Sequence, residues 1–184
     1  QTTGTYDNAN AGTNKLVNVT LASSEYSATN RTLLSNYNLP TAASGYVGVI
    51  TPKSVTVSNA SRTTTYDGLS SYNALAAGTT YTVGAMVGSD TVSSISQTAS
   101  GFSGGASGTA QAGTYTITPS AAVMGTGSAS NYSFSYVSSN HTVNKATLNL
   151  AISKTYDGST SFSSANANTY TFTGMVNSES APTI

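Results

Sequence analysis

Six carboxylates make up the acidic inventory of this chain: Asp7, Glu25, Asp67, Asp90, Asp157 and Glu179. A glycosidase needs two of them facing each other across a cleft. Asp67 and Asp90 are close enough in sequence to share one small domain, but both fall in turn sequences and their spacing sets no distance. The chain therefore reads as a non-enzyme, with no catalytic residue. Calcium sites draw on Asp-rich loops of the Asp-x-Asp-x-Asp kind, and none occurs. His141 is the single histidine and there is no cysteine, which removes histidine clusters, thiolate metal sites and disulfides. No metal or cofactor is expected, and His141 reads as a residue on a strand surface.

Two identical tetrapeptides carry the next possibility. Thr65-Tyr66-Asp67-Gly68 recurs as Thr155-Tyr156-Asp157-Gly158. A tyrosine beside a carboxylate can stack on a sugar and accept bonds from its hydroxyls. The same residues also make a tight turn, with Asp bonding nearby backbone N–H groups and Gly supplying positive φ. Recurrence favours the turn, with the tyrosine anchoring it to a core, so Tyr66, Asp67, Gly68, Tyr156, Asp157 and Gly158 are read as structural. Lys53, Lys145 and Lys154 lie near strand ends. A Lys–Asn isopeptide cross-link there would need a buried lysine, an Asn or Asp and a catalytic carboxylate together. Asn18, Asn30, Asn59, Asn131 and Asn140 begin Asn-x-Ser/Thr sequons, which are glycosylation acceptors when exposed. The 12 tyrosines would fill a β core that lacks Trp, or line a sugar platform; the core is the preferred reading.

These residues sit in strand-like surroundings. Charged residues are 7% of the chain, net charge is zero, and Ser plus Thr form about a third. Phosphate binding needs a basic patch, so nucleic acid is not an expected partner. No apolar run approaches the roughly 20 residues of a membrane helix, and no membrane insertion is expected. Zero net charge leaves copies free to associate. Apolar and polar residues alternate, with β-branched enrichment, over 16–21, 46–50, 54–58, 79–83, 91–95, 114–118, 133–137, 142–152 and 170–173. Residues 32–39 and 120–124 have the spacing of a helical turn or two. Residues 134–143 read as a hairpin, with Ser138-Ser139 or a slightly longer loop including Asn140 at its tip.

The repeat extends beyond the tetrapeptide. Thr80-Tyr81-Thr82-Val83 matches Thr169-Tyr170-Thr171-Phe172, and Met86-Val87-Gly88-Ser89-Asp90 matches Met175-Val176-Asn177-Ser178-Glu179. Upstream, Ala11-Gly12-Thr13 matches Ala112-Gly113-Thr114, Asn36-Tyr37 matches Asn131-Tyr132, and Ile50 to Lys53 matches Val143 to Lys145. A period of about ninety residues is domain-sized and marks a tandem array. The division it suggests is 1–53 as the later part of one repeat, 54–145 as a complete repeat, and 146–184 as the opening part of the next. The Gly/Ser-rich stretch 101–108 offers an alternative boundary between two units.

The ordered series Lys154-Thr155-Tyr156-Asp157-Gly158, Met86 to Asp90, Ala112-Gly113-Thr114-Tyr115-Thr116-Ile117, Ser130 to Val137 and Thr142 to Ala146 resembles the MBG/YDG-type repeats. These occur in large bacterial surface and secreted adhesins, including filamentous-haemagglutinin-like proteins. The resemblance covers nearly the whole chain. It departs from the family at Ser138-Ser139, where the family hairpin often has Asn-Gly, and at His141. It implies an all-β fold of tandem small β-sandwich-like (Ig-like) or β-grasp-like units with little helix. It also implies an extracellular or bacterial cell-surface location and a stalk, spacer or adhesive role without enzymatic activity. The expected partners are neighbouring repeats or copies of the same protein, joined head to tail by strand pairing through 1–19 and 154–184. Glycans, mucin or host and matrix surfaces are the alternative partners.

Overall fold

The computed structural model describes residues 3–68, 75–76, 79–101, 110–162 and 169–182. The fold is all-β. The strands are β1 (Thr5–Tyr6), β2 (Gly12–Thr20), β3 (Ala42–Ile50), β4 (Lys53–Asn59), β5 (Arg62–Thr65), β6 (Tyr81–Val83), β7 (Thr91–Gly101), β8 (Gly113–Thr126), β9 (Tyr132–Val137), β10 (Ser139–Asn144), β11 (Asn149–Ser153) and β12 (Thr169–Thr173). Single 3-10 turns at Ser23–Glu25, Leu34–Asn36 and Ala129–Asn131 lie between strands, and residues 75–76 are helical.

Period-2 burial explains the main strands. In β8, Tyr115, Ile117 and Pro119 are buried, while Thr114, Thr116 and Thr118 between them are exposed. In β10, Ser139, His141 and Val143 point inward, and in β4 Val55, Val57 and Asn59 do the same. The sheets follow the orders β1-β2-β3, β5-β10-β8-β7, β6-β4-β9 and β11-β12.

The chain forms two compact units, each assembled from separate segments. Unit 1 comprises Gln1–Thr56, Val83–Ser94 and Ala122–Ser135; unit 2 comprises Val57–Thr82, Ile95–Ala121 and Tyr136–Ile184. They divide the chain by spatial contact, not by sequence period. β4, β6, β7, β8 and β9 each contribute residues to both. The stretch 102–108 lies outside the described residues.

In unit 1, β1 pairs antiparallel with β2, and β2 with β3 from Gly12↔Ile50 to Thr20↔Ala42. The register shifts around Lys15, next to Asn14 at φ 53°. In unit 2, β10 runs parallel to β5, from His141↔Arg62 to Asn144↔Thr65, and antiparallel to β8, from Ser139↔Ile117 to Val143↔Gly113. The repeat is visible here: Gly12↔Ile50 and Gly113↔Val143 are the same pair one period apart. Leu75, Ala76, Ala110, Tyr115, Ile117 and Val143 form the core of unit 2, with Tyr66 and Ala99 packed against it. A buried polar chain adjoins them. Asn59 Nδ2 donates to the Ile117 carbonyl (3.1 Å), and Gln97 Nε2 donates to Asn59 Oδ1 (2.8 Å) and the Thr79 carbonyl (3.0 Å).

Three local expectations are corrected. The hairpin over 134–143 does not form: β9 lies beside β4, and β10 lies between β5 and β8. No residue from 134 to 143 has positive φ, which a two-residue hairpin turn needs, so the chain changes sheets at Ser138 without reversing. Residues 120–124 are extended within β8. The run 142–152 is two strands, β10 and β11, broken at 145–148.

Candidate functional site

The Tyr66-Asp67-Gly68 turn follows β5 directly. The Tyr66 amide donates to the Asn144 carbonyl at 2.8 Å, so the parallel ladder with β10 sets where the ring leaves the sheet. The ring then reaches the repeat's second motif. Tyr66 Oη donates to Glu179 Oε1 at 2.5 Å, and Asn177 Nδ2 donates to the Gly68 carbonyl at 2.8 Å. Gly68 is buried at φ 68°. A Cβ there would meet Asn177 Cβ at 2.8 Å and Val176 Cγ2 at 3.2 Å, so the two turns touch at van der Waals distance. The 176–179 turn is closed by the Glu179 amide on the Val176 carbonyl (3.1 Å), with Asn177 at φ 49° and Ser178 at φ 58°. The bond to Glu179 holds the Tyr66 hydroxyl pKa above its usual value, reinforced by burial and by the charges of Glu179 and Asp67. The phenol is therefore a donor at neutral pH and not a nucleophile or base.

A cavity of about 360 Å³ opens beside this clasp, lined among others by Tyr66, Gln111, Lys145, Leu148, Met175 and Glu179. It combines an ammonium, an amide and a carboxylate already bonded to a phenol over an apolar floor.

Unit 1 contains a similar contact on the matching turn, made by a tyrosine that the repeat aligns with Tyr37 and not with Tyr66. Tyr132 Oη donates to Asp90 Oδ2 at 2.6 Å and accepts from the Val87 amide at 3.1 Å. The Asp90 amide closes the turn on the Val87 carbonyl (3.1 Å), with Gly88 at φ 58°. A cavity of about 250 Å³ adjoins it, lined among others by Asn10, Ala11, Lys53, Asp90, Asn131 and Tyr132. Asp90 and Glu179, Val87 and Val176, Ala11 and Ala112, and Lys53 and Lys145 are matched residues of the repeat. The bond to Asp90 leads in raising the Tyr132 pKa.

The second Tyr-Asp-Gly copy has the same glycine conformation but a more open setting among the described residues. Gly158 has φ 73°, and a Cβ on it would have open space around it. Tyr156 is 92% exposed, so it does not anchor its turn to a core. The turn is held from within: Lys154 Nζ donates to Asp157 Oδ1 (2.8 Å) and to the Ser159 and Ser161 carbonyls (2.7 and 2.9 Å). The Ser159 amide donates to Asp157 Oδ1 at 2.9 Å. The bond from Lys154 is the main reason the Asp157 carboxyl lies below the usual carboxylate range.

Other candidates are placed differently from their sequence reading. His141 is 1% exposed, not on a surface, because it shares the inward phase of β10 with Ser139 and Val143. Its Nε2 pairs with Thr64 Oγ1 at 2.9 Å, and among the described residues its Nδ1 has no hydrogen bond of good geometry. Lys53 and Lys145 are exposed and Lys154 is engaged in its turn. The buried lysine is Lys15, paired with Asp7 at 3.2 Å and with Asn8 Oδ1. Sequence reasoning passed over it, although its place in an otherwise apolar inward position of β2 was a signal. Its partner Asp7 is 40% exposed. Asn59 is buried, which removes it as a glycan acceptor in the folded chain; Asn18, Asn30 and Asn140 are exposed. The tyrosines divide: Tyr115 and Tyr132 are buried, while Tyr37, Tyr46 and Tyr156 are exposed. No group of three or more metal-ligating side chains occurs among the described residues.

No family model matches this chain, and no curated protein or solved structure matches it either.

Proposed function

We propose that this chain is a structural repeat segment of an extracellular bacterial adhesin or surface filament of the MBG/YDG type, acting as a stalk or spacer. The observation that carries the reading is a tyrosine–carboxylate clasp on the matching turn of both units, made by tyrosines from two different places in the repeat. In both units a tyrosine hydroxyl closes on the carboxylate of a Met-Val-x-Ser-Asp/Glu turn. In each contact the carboxylate is engaged by a phenol hydroxyl. In the Tyr66 clasp, a turn from one sequence period grips a turn from the next, as a mechanical array requires. Few charges and many hydroxyls give the row a neutral, hydrated surface. Copies or neighbouring repeats are its partners, joined head to tail.

A glycan- or mucin-binding module is the second reading, favoured by the cavity beside Tyr66 and by the exposed rings of Tyr46 and Tyr156. A glycan array with the whole chain separates the two. The spacer reading expects no reproducible binding. Binding that disappears in Tyr66→Ala, Tyr46→Ala or Tyr156→Ala would replace it with the module. Polysaccharide hydrolysis assays are expected to show no turnover.

A further inference from the structure

A buried lysine, an asparagine and a carboxylate do meet in this fold, where the chain passes from β1 to β2. Lys15 is 8% exposed, and a lysine is almost never buried without a partner. The irregularity of β2 puts it there: with Asn14 at φ 53° the register shifts, and Lys15 pairs with Gly48. In unit 2 the equivalent pair is Tyr115 with His141. Tyr115 fills that place with a fully buried ring, whose hydroxyl donates to the Gln111 carbonyl at 2.8 Å. A lysine is therefore not what the fold alone demands. Lys15 Nζ turns back toward the chain leaving β1. It lies 3.2 Å from Asp7 Oδ1 and in contact with Asn8 Oδ1. Both acceptors are held. The Asp7 amide donates to the Leu16 carbonyl (3.1 Å), and the Asn8 amide donates to Asp7 Oδ1 (3.0 Å). The Asn10 amide donates to Asn8 Oδ1 (3.1 Å). One oxygen of a primary amide thus receives a backbone N–H and lies against an amine, and a carboxylate stands beside that amine.

We propose that Lys15 and Asn8 join in an intramolecular isopeptide bond, with Asp7 as the base. The Lys15 ammonium passes a proton to the Asp7 carboxylate, and the free amine attacks Asn8 Cγ. Negative charge gathers on Asn8 Oδ1, where the Asn10 N–H stabilises it. Asp7 hands its proton to Asn8 Nδ2 and takes a second one from Nζ. The Cγ–Nδ2 bond breaks, the carbonyl re-forms and the Cγ–Nζ amide is complete. The released ammonia takes the last proton from Asp7 and departs as ammonium, so Asp7 ends as the carboxylate it began as. No oxidant, metal or cofactor is consumed. Asn8 is the acyl group and Asp7 is not, because a carboxylate resists attack by an amine. Asp7 and Asn8 are exposed, which gives ammonium an open path to water. The product ties residue 8 to residue 15 across the irregularity in β2. It adds a covalent rung beside the two register pairs, Thr5↔Asn18 and Tyr6↔Val17, that hold β1 to β2.

Mass spectrometry of the folded full chain is the test. Its intact mass should lie below that of the unmodified chain by one ammonia. Trypsin cuts after a free lysine and not after an acylated one. The peptide ending at Lys15 should therefore be replaced by one running on to Arg31, with fragments branched between Asn8 and Lys15. Lys15→Arg and Asn8→Ala should each restore the full mass. Asp7→Ala should slow bond formation on the order of a hundredfold, and Asp7→Glu should recover part of the rate. Circular dichroism shows which variants fold, and the unsubstituted chain decides the matter even where a variant does not. Ammonia lost by cyclisation of Gln1, or of Asn8 onto its own backbone, leaves Lys15 cleavable and persists in Lys15→Arg. A full mass in the folded chain, a loss located outside Asn8 and Lys15, or a bond that forms as fast in Asp7→Ala overturns the proposal. The bond is independent of the spacer and glycan-binding readings, so each can fail alone.

Discussion

Gly68 and Gly158 occupy one place in two copies of a turn, at φ 68° and 73°, yet their surroundings differ. An alanine in the left-handed region costs about 1–2 kcal/mol. Gly158→Ala should show that cost alone, since the space around it is open. Gly68→Ala should cost more, because its Cβ would press on Asn177 and Val176. Equal shifts in urea midpoint would refute the contact between the two turns. Asp157 gives a pH test. Its folded pKa is depressed by Lys154 and then by the Ser159 amide, so its contribution is present above the unfolded value of about 3.9. It is lost as pH falls through the folded value. The Ser159 amide resonance should therefore hold steady down to the ordinary carboxylate range and move below it, and Lys154→Met should raise that midpoint. His141 behaves with the opposite charge logic. Burial, then the Arg62 charge, lowers its pKa, so below about pH 6.5 the unfolded chain binds the proton first and stability declines with falling pH. A urea midpoint that did not fall between pH 7 and pH 5 relative to His141→Gln would count against this. The turn chemistry of Asp157 and Gly158 was legible in the sequence because it is local. The burial of His141 was not: period 2 tells which residues share a face, and the phase of a strand with a histidine between Ser139 and Val143 is set only by what packs on it.

Among the elements, β8 carries the core of unit 2. Ile117 and Tyr115 are fully buried, and Ile117→Ala should cost about 2–5 kcal/mol through lost transfer energy plus the cavity it leaves. Denaturant titration checks it, with Thr116→Ala on the exposed face as a near-neutral reference. Strands with clean alternation, such as β4 and β9, were readable to within a few residues, whereas β8 was read only over 114–118 of Gly113–Thr126. β5 was missed, because Arg62-Thr63-Thr64-Thr65 has no apolar residue to alternate. It is a strand because β10 supplies a parallel partner from far along the chain, and distant pairing leaves no mark on local pattern. The hairpin over 134–143 failed for the converse reason. β9 was read in place, but β10 was merged into the run 142–152, and adjacency in sequence was taken for adjacency in the sheet. The Ser138-Ser139 pair, a poor hairpin turn, was the available sign that the chain does not reverse there.

For the whole molecule, addition of EDTA should leave the melting temperature unchanged; a drop of many degrees would reveal a cation the folded chain depends on. The ninety-residue period was plain in the sequence, whereas the compact units were not. Each unit gathers segments from more than one period, because the Tyr66 clasp binds a turn of one period to the 176–179 turn of the next, and a side-chain bond across a hundred residues has no local signature. The parallel orientation of β5 and β10 bears on how the chain would respond to tension. The chain enters this pair at Arg62 and leaves it at Asn144, which lie at opposite ends of the ladder. Pulling the chain outward at these two points slides the strands past each other in shear, so the register pairs from Arg62–His141 to Thr65–Asn144 share the load at once. An antiparallel pair pulled at its adjacent ends would instead unzip one rung at a time. A protein under flow or traction would gain rupture resistance from that geometry without any gain in equilibrium stability, since forced unfolding follows the unfolding barrier and not the free energy of the fold.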